Sequence, residues 1–304
     1  MLTILMLDPI KSCHAFSVRK GMAWPLTPRG LAYDREFFLI SKSDGRALSL
    51  KGYPKMALIQ PSLNIESRIM FVSSPSSTAQ LEIPLDIDVA SELNKGTLIV
   101  REKARVCTDT IRSLVFTSQV IQDFFSAIVG IECSLAVYHP DMKGSMRYFK
   151  PHLPGRGQTS VEINDSCTTK REIWLSNESP YLLISQSSVD ALALAMGRKE
   201  KVSPTVFRPN FVLTGNPAYS EDSFRRIRIG GVQFDVLGQC RRCYMVCVDP
   251  EKGVKGKTGN DIYLGLGKTR KKDTGGVVFG IHMALTDGLG LVKVVDSVIV
   301  EETI

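Results

Sequence analysis

"FRRIRIGGVQFDVLGQCRRCYMVCV" occupies residues 224–248 and reads as strand. Its pieces "FRRIRIGGVQFDVL" and "CYMVCV" carry the β-branched and aromatic residues that fit a pleated, half-buried surface. The same signature recurs outward from it, in "VFRPNFVL" (206–213) and "LVKVVDSVIV" (291–300). The first hundred residues share it. "MLTILML" is a first strand that "DPIKSC" stops at once, and "REFFLISKSDGRALSL" (35–50) is two short strands around a Ser-Asp-Gly turn. "MALIQPSLNI" and "TLIVREKARV" add further strands. Helical spacing is rarer. In "SQVIQDFFSAIVG" (118–130), Val120, Ile121, Phe124, Phe125 and Ile128 share one face, with Ser118 as N-cap and Gly130 as stop. "SSVDALALAMGRK" (187–199) is a second capped helix, opened by Ser187 or Ser188 and closed by Gly197. The polar stretch 140–172, with "KPHLPGRGQTS", reads as an exposed connector. Two β-rich portions with a few helices, lacking regular βαβ alternation, predict a β-rich α+β chain. The expected division is 1–135 and 136–304.

Composition narrows the function classes. The chain has 304 residues, 43% hydrophobic and 23% charged, with a net charge of +7. That charge favours an anionic ligand or partner. It does not single out nucleic acid, and no RNP-like aromatic pattern or basic face with interleaved aromatics supports one. No stretch approaches the roughly 20 consecutive apolar residues of a membrane span, and the opening lacks a basic n-region and cleavage site. Seven scattered cysteines, an odd number, do not form a secreted disulfide framework. The expected setting is cytoplasmic, away from membranes and nucleic acids.

Four segments are candidates for chemistry. Cys240, Cys243 and Cys247 follow C-x2-C-x3-C spacing with no second CxxC. A structural zinc site wants four ligands from two such knuckles, and His282 is far along the chain. The four histidines, at 14, 139, 152 and 282, form no cluster in sequence. A redox CxxC would open a helix, whereas this one precedes a predicted strand. Cys247 fits a small core hydrophobe between Val246 and Val248. Cys243 stands beside Arg241 and Arg242, where positive charge favours the thiolate, the soft donor that a thiophilic metal selects. Lys11 and Ser12 in "LDPIKSCHAF" suit a phosphate or another oxyanion, or are simply solvated. Arg208 in "VFRPNFVL" wants an anion: either a ligand or an acid of "YSEDSF" (219–224). "GLGKTRKKD" (265–273) lacks the first P-loop glycine, because Ile262 stands there, and reads as a solvated basic loop.

These segments occur together, in this order, in one family. "DPIKSCHAF", "WPLTPRGLAYDREFFLI" and "PKMALIQP" resemble the N-terminal β-barrel part of MOSC-domain proteins. The stretch from "VFRPNFVLTGNPAYSEDSF" to "CVDPEKG" resembles the MOSC core. The "KSC" after Pro-Ile and "VFGIHMAL" (278–285) resemble the C-terminal part of the eukaryotic molybdenum cofactor sulfurases more than the amidoxime-reducing branch. The resemblance implies a MOSC-type β-barrel core, with an N-terminal barrel-like portion over 1–135. It also implies a molybdenum cofactor (Mo-molybdopterin) site in which Cys243 is both the molybdenum ligand and the catalytic candidate. Lys11, Ser12, Arg35 of "YDRE", and Arg208 with Asn210 of "FRPN" would line the pterin and phosphate pocket. Arg241 and Asp222 would support them from behind. The implied role is acceptor of cofactor sulfuration, with a cysteine desulfurase as donor and xanthine dehydrogenase and aldehyde oxidase as recipients. The family's sulfurases carry that pyridoxal-phosphate desulfurase ahead of the MOSC part. This sequence goes from its Met directly into the MOSC part, so no pyridoxal-phosphate site is expected in it. A molybdenum-dependent reductase of N-hydroxylated substrates and a non-catalytic interaction barrel are the alternatives. Sequence leaves Cys240 open between a transient persulfide site and mere packing.

Overall fold

Eight strands, drawn from both ends of the chain, form the sheet that carries the site. In spatial order they are Phe16–Ser17, Leu2–Leu7, Phe211–Leu213, Tyr181–Ser185, Val278–Leu285, Val232–Arg241, Phe224–Ile229 and Val298–Thr303. The computed structural model describes residues 1–139, 147–148, 172–198, 200–256, 262–272 and 276–303. The connector predicted over 140–172 lies almost entirely outside the described residues, as does His152. Only Tyr181–Ser185 and Phe211–Leu213 pair in parallel; the other neighbours in this sheet are antiparallel. The sheet curls as a half-barrel, as strand twist makes large sheets do.

The first β-rich portion supplies the smaller sheets. Phe37–Ser41, Cys133–Val137, Asp109–Phe116 and Leu98–Val106 make one four-stranded sheet. Gln60–Asn64, Ile69–Ser74 and Ser77–Pro84 make a meander. The predicted strand-rich class is therefore observed. The core is continuous across these sheets: Leu2, Phe37, Leu39 and Leu135 belong to the same buried cluster as Phe211, Phe234 and Met283. Tyr181 sits at its centre, its ring stacked on Phe211 and edge-on to Phe234. Its hydroxyl lies within donating reach of the Thr27 and Gly30 carbonyls and accepts the Thr27 N–H, so a large ring is buried with its polar atom paired. On the other face, the helices Gln186–Ala195 and Ile262–Thr269 pack over Phe207 and Phe279.

Several local expectations hold. "MLTILML" gives the strand Leu2–Leu7, and 118–130 gives the helix Gln119–Val129, closed by Gly130 at φ +88°. Phe124, Phe125 and Ile128 are buried there, but Val120 is 68% exposed because the apolar face is narrower than the pattern suggested. The second helix begins earlier than predicted, after Ser185 at its N-cap position. There Ser187 donates its hydroxyl to the Asn216 carbonyl, and Ser188 accepts the Tyr219 N–H. Segment 35–50 makes the strand Phe37–Ser41 and the turn, but its return leg is reduced to an isolated bridge at Ala47. The Ala47 N–H is bonded instead to the Arg105 carbonyl.

Two readings are corrected. "CYMVCV" is not a strand. The ladder ends with the Arg242 N–H on the Val277 carbonyl, and Tyr244–Cys247 then make one 3-10 turn that buries Val246 in the second apolar cluster. "GLGKTRKKD" is mostly helix: Ile262–Thr269 buries Ile262 and Leu266, because apolar spacing outweighs its basic residues.

Candidate functional site

The ends of several strands converge on one cavity. Lys11 and Ser12 follow the first strand, and Arg35 precedes Phe37–Ser41. Arg208 and Asn210 precede Phe211–Leu213, and Cys240 to Cys243 close the Val232–Arg241 strand. All seven predicted site residues, Lys11, Ser12, Arg35, Arg208, Asn210, Arg241 and Cys243, border this cavity. Ser12, Arg35 and Arg208 have positive φ values of 71°, 56° and 53°. Left-handed backbone costs a non-glycine residue about 1–3 kcal/mol and concentrates at functional sites.

Buried carboxylates fix the arginines. Asp8 takes Arg35 Nη2 at 2.7 Å and Arg208 Nη2 at 2.8 Å, one on each oxygen. Arg35 also pairs with Asp34, and Asp34 accepts the Asp8 N–H at 2.7 Å and Asn210 Nδ2 at 3.1 Å. Asn210 Oδ1 in turn accepts the Leu182 N–H. Asn210 is thus a buried cross-link between strands as well as a lining residue. Arg208's partner is Asp8, not an acid of 219–224. Asp222 instead pairs with Arg270, which lies over the Tyr219 ring, and Asp222 does not line the cavity. Its expected support of the thiolate is not observed.

Lys11 Nζ donates to the Leu175 carbonyl and to Asn177 Oδ1, both at 2.6 Å. Burial lowers its pKa to about 8; Cys107 opposes the shift, and Arg147, Arg35 and Arg208 add to it. Among the described residues, five lysine and arginine side chains (Lys11, Arg35, Arg208, Arg241 and Arg242) border the cavity, and Glu178 is the one carboxylate of the lining. That excess suits an anion bearing phosphate.

The cysteines divide by environment. Cys243 is exposed at the cavity, capping the 3-10 turn in extended backbone. Cys247 is half-buried against the second apolar cluster. Cys240 is 6% exposed and also borders the cavity. Beside it stands His282, which sequence distance had set aside. The Gly238–His282 pairing of adjacent strands brings them together. Burial pushes the Cys240 thiol up, but Arg242 and His282 outweigh it and hold it below the usual thiol value. Burial lowers His282, but Cys240 and then Glu178 raise it to about 9.

Sequence reasoning named Arg242 only as a charge beside Cys243 and did not count it among the site residues. It donates Nη1 to the Phe207 carbonyl and Nε and Nη2 to the Phe279 carbonyl, at 2.7–2.9 Å, with its guanidinium over the Phe207 ring. Arg241 is exposed by comparison. The available signal for His282 was a lone histidine in the otherwise apolar "VFGIHMAL" strand, all of it buried.

Comparison with known proteins gives a consistent picture. A family model described as MOSC domain matches residues 170–299, and one described as MOSC N-terminal beta barrel domain matches residues 1–131. Proteins called molybdenum cofactor sulfurase are similar over nearly the whole chain. The protein from Pyricularia oryzae is 35% identical over 93% of this chain and 38% of its own length. That from Aspergillus oryzae is 35% identical over 92% and 36%, and that from Neosartorya fischeri 37% over 93% and 37%. The chain therefore spans just over a third of the length of these relatives. Among solved structures, a Bordetella bronchiseptica protein aligns with 38% of this chain and 87% of its own, at 18% identity and a TM-score of 0.30.

Proposed function

The chain belongs to the MOSC-domain family, and from that premise we propose that it holds the molybdenum cofactor as cargo while the cofactor is sulfurated. The observation that carries this reading is the exposed Cys243 thiol in a cavity bordered by Lys11 and four arginines. The donor set fits the group. A cysteine sulfur is the soft ligand that molybdenum takes, and Lys11, Arg35 and Arg208 suit the phosphate and other anionic oxygens. When bound, the cofactor supplies a thiophilic metal centre; the protein supplies position and charge. Cys243 would ligate the metal, and Lys11 with Ser12 would take phosphate oxygens. Asp8 and Asn210 would keep Arg35 and Arg208 oriented, and Arg242 would hold the wall behind Cys243.

A persulfide-generating cysteine desulfurase is the proposed sulfur source, with xanthine dehydrogenase and aldehyde oxidase as the proposed recipients of sulfurated cofactor. The names of the relatives support sulfuration over reduction of N-hydroxylated substrates. The test is molybdenum and pterin content after purification from a host that makes the cofactor, beside Cys243→Ser. Near-stoichiometric metal, lost in the variant, is expected. A folded protein without molybdenum or pterin in either form overturns the reading.

A further inference from the structure

The chain's positive charge is gathered at the mouth of the cavity. Segment 241–256 carries Cys243, and segment 262–272 packs on the 3-10 turn that follows it, through Ile262 and Leu266 around Val246 and through Tyr263 on Tyr244. Together these 27 positions hold eight basic side chains against two acidic ones, a net +6 in a chain whose whole charge is +7. The Lys271–Val277 bridge and the Arg242 N–H on the Val277 carbonyl bring Lys271 beside the end of the Val232–Arg241 strand. The Lys272 N–H reaches the Gly276 carbonyl, and a Cβ on Gly276 would stand 3.6 Å from Arg241 Nε. Arg241, Lys271 and Lys272 are therefore one exposed cationic rim beside Cys243.

Apolar side chains stand in the same field. Tyr244 is 54% exposed, with its ring 4.3 Å from that of Tyr263, and Val254 and Leu264 are exposed as well. Tyr244 lies outside the cavity lining, so a ligand held within the cavity does not account for it. A purely solvated basic face has no use for such groups. A protein interface is built of them, with aromatic and arginine side chains at an apolar centre and a polar rim around it. Nucleic acid fits less well. The two tyrosine rings pack on each other instead of standing apart as stacking platforms, and Val254 and Leu264 offer a base no hydrogen bond.

We propose that this face docks the protein that takes the cofactor out of the cavity, and that this partner presents acidic side chains around an apolar contact for Tyr244. The choice of a cofactor recipient rests on the reading of the chain as a cofactor holder; the surface and the partner's charge rest on the geometry. A sulfur donor needs only to bring one atom to the mouth. A cofactor that passes between two proteins without entering water needs the mouth covered, and the rim to be covered is cationic. Carboxylates set against Arg241, Lys271 and Lys272 also neutralise part of the field that holds an anion inside. Docking thereby weakens the cavity's hold at the moment of transfer.

The probe is apo-xanthine dehydrogenase from a host that makes no cofactor, titrated with the full chain by calorimetry. Binding is expected, with an affinity that falls about tenfold from low salt to about 0.3 M as the charges are screened. Lys271→Glu combined with Lys272→Glu should weaken it about a hundredfold, and Tyr244→Ala about tenfold. Lys20→Glu combined with Lys293→Glu makes the same change of charge on exposed residues that line no part of the cavity, and should leave binding intact. Sulfate affinity, which reports the cavity alone, should be kept in Tyr244→Ala. A wild-type chain that does not bind, or variants that all bind alike, overturns the proposal. So does an equal loss from the Lys20 and Lys293 changes, which makes the effect one of net charge. Tyr244-dependent binding of a cysteine desulfurase instead gives the face to the donor, and of a single-stranded RNA to nucleic acid; either overturns the choice of partner. Molybdenum content keeps the two readings apart: a chain that carries molybdenum yet fails to bind the recipient defeats the docking surface alone.

Discussion

Arg208 Nη2 stands 2.8 Å from Asp8 Oδ1, joining the segment after the first strand to the "FRPN" segment 200 residues later in the chain. Both groups are largely removed from water, and the second Asp8 oxygen is taken by Arg35. One buried carboxylate therefore orients two of the cations that face the cavity.

Replacing Asp8 leaves both arginines without their anion. Breaking a buried pair by removing one partner costs about 3–5 kcal/mol, and Asp8→Asn is expected to fall in that range. Denaturant unfolding monitored by fluorescence measures it. A change below about 1 kcal/mol, the size expected of an exposed pair, would show that water replaces the carboxylate easily.

Lys11 should make anion binding depend on pH. With its pKa held near 8 by burial, it is cationic below that value and neutral above. Sulfate keeps one charge state over this range, so it serves as the probe. Its affinity, measured by calorimetry, is expected to fall as pH rises past 8, with bound sulfate moving the midpoint upward. Lys11→Met should bind sulfate more weakly and lose that part of the pH dependence.

Glu36 predicts a dependence of stability on pH. Burial pushes its carboxyl up to about 7, against the Tyr33 N–H that donates to it. The folded state therefore holds a proton that the unfolded chain has released between its ordinary value of 4.5 and 7. Stability contributed by this group falls as pH rises through that window. Glu36→Gln keeps an acceptor for Tyr33 and should gain on the wild type as pH rises from 4.5 to 7. Melting temperatures at the two ends of the window test this; a constant difference would refute it.

Gly280 is required beside the site. Its φ is +73°, and an added Cβ would stand 2.6 Å from both the Leu183 carbonyl oxygen and Ile184 Cγ2. Left-handed backbone alone costs an alanine about 1–2 kcal/mol, and the approach to backbone adds to it. Gly280→Ala should destabilise the fold by at least about 2 kcal/mol. Because Gly280 lies two residues from His282 on the same strand, the variant should also slow alkylation of Cys240 while the Cys243 peptide reacts normally.

The sequence by itself determined the strand-rich class, the first strand, and the helix that buries Phe124, Phe125 and Ile128. These follow from spacing along a few consecutive residues, which the local backbone period enforces. It also marked Lys11, Ser12 and Arg208, because charged or hydroxyl groups beside apolar strands must end somewhere wet or paired; Arg35 and Asn210 came in only through the family resemblance. Only the tertiary structure decided who their partners are. Alternation along "VFGIHMAL" says that His282 shares a face with its second neighbours, but not which strand lies alongside; the Gly238–His282 pairing settles that and delivers Cys240. Whether Arg241 or Arg242 turns inward depends on the ladder irregularity between Gln239 and Arg241. A one-residue shift reverses every side chain after it. Likewise "CYMVCV" satisfies strand spacing, yet it turns as a 3-10 helix because the apolar cluster around Phe207 and Phe279 takes Val246 in that form. Register and packing are relations between segments distant in the chain, and no single segment contains them.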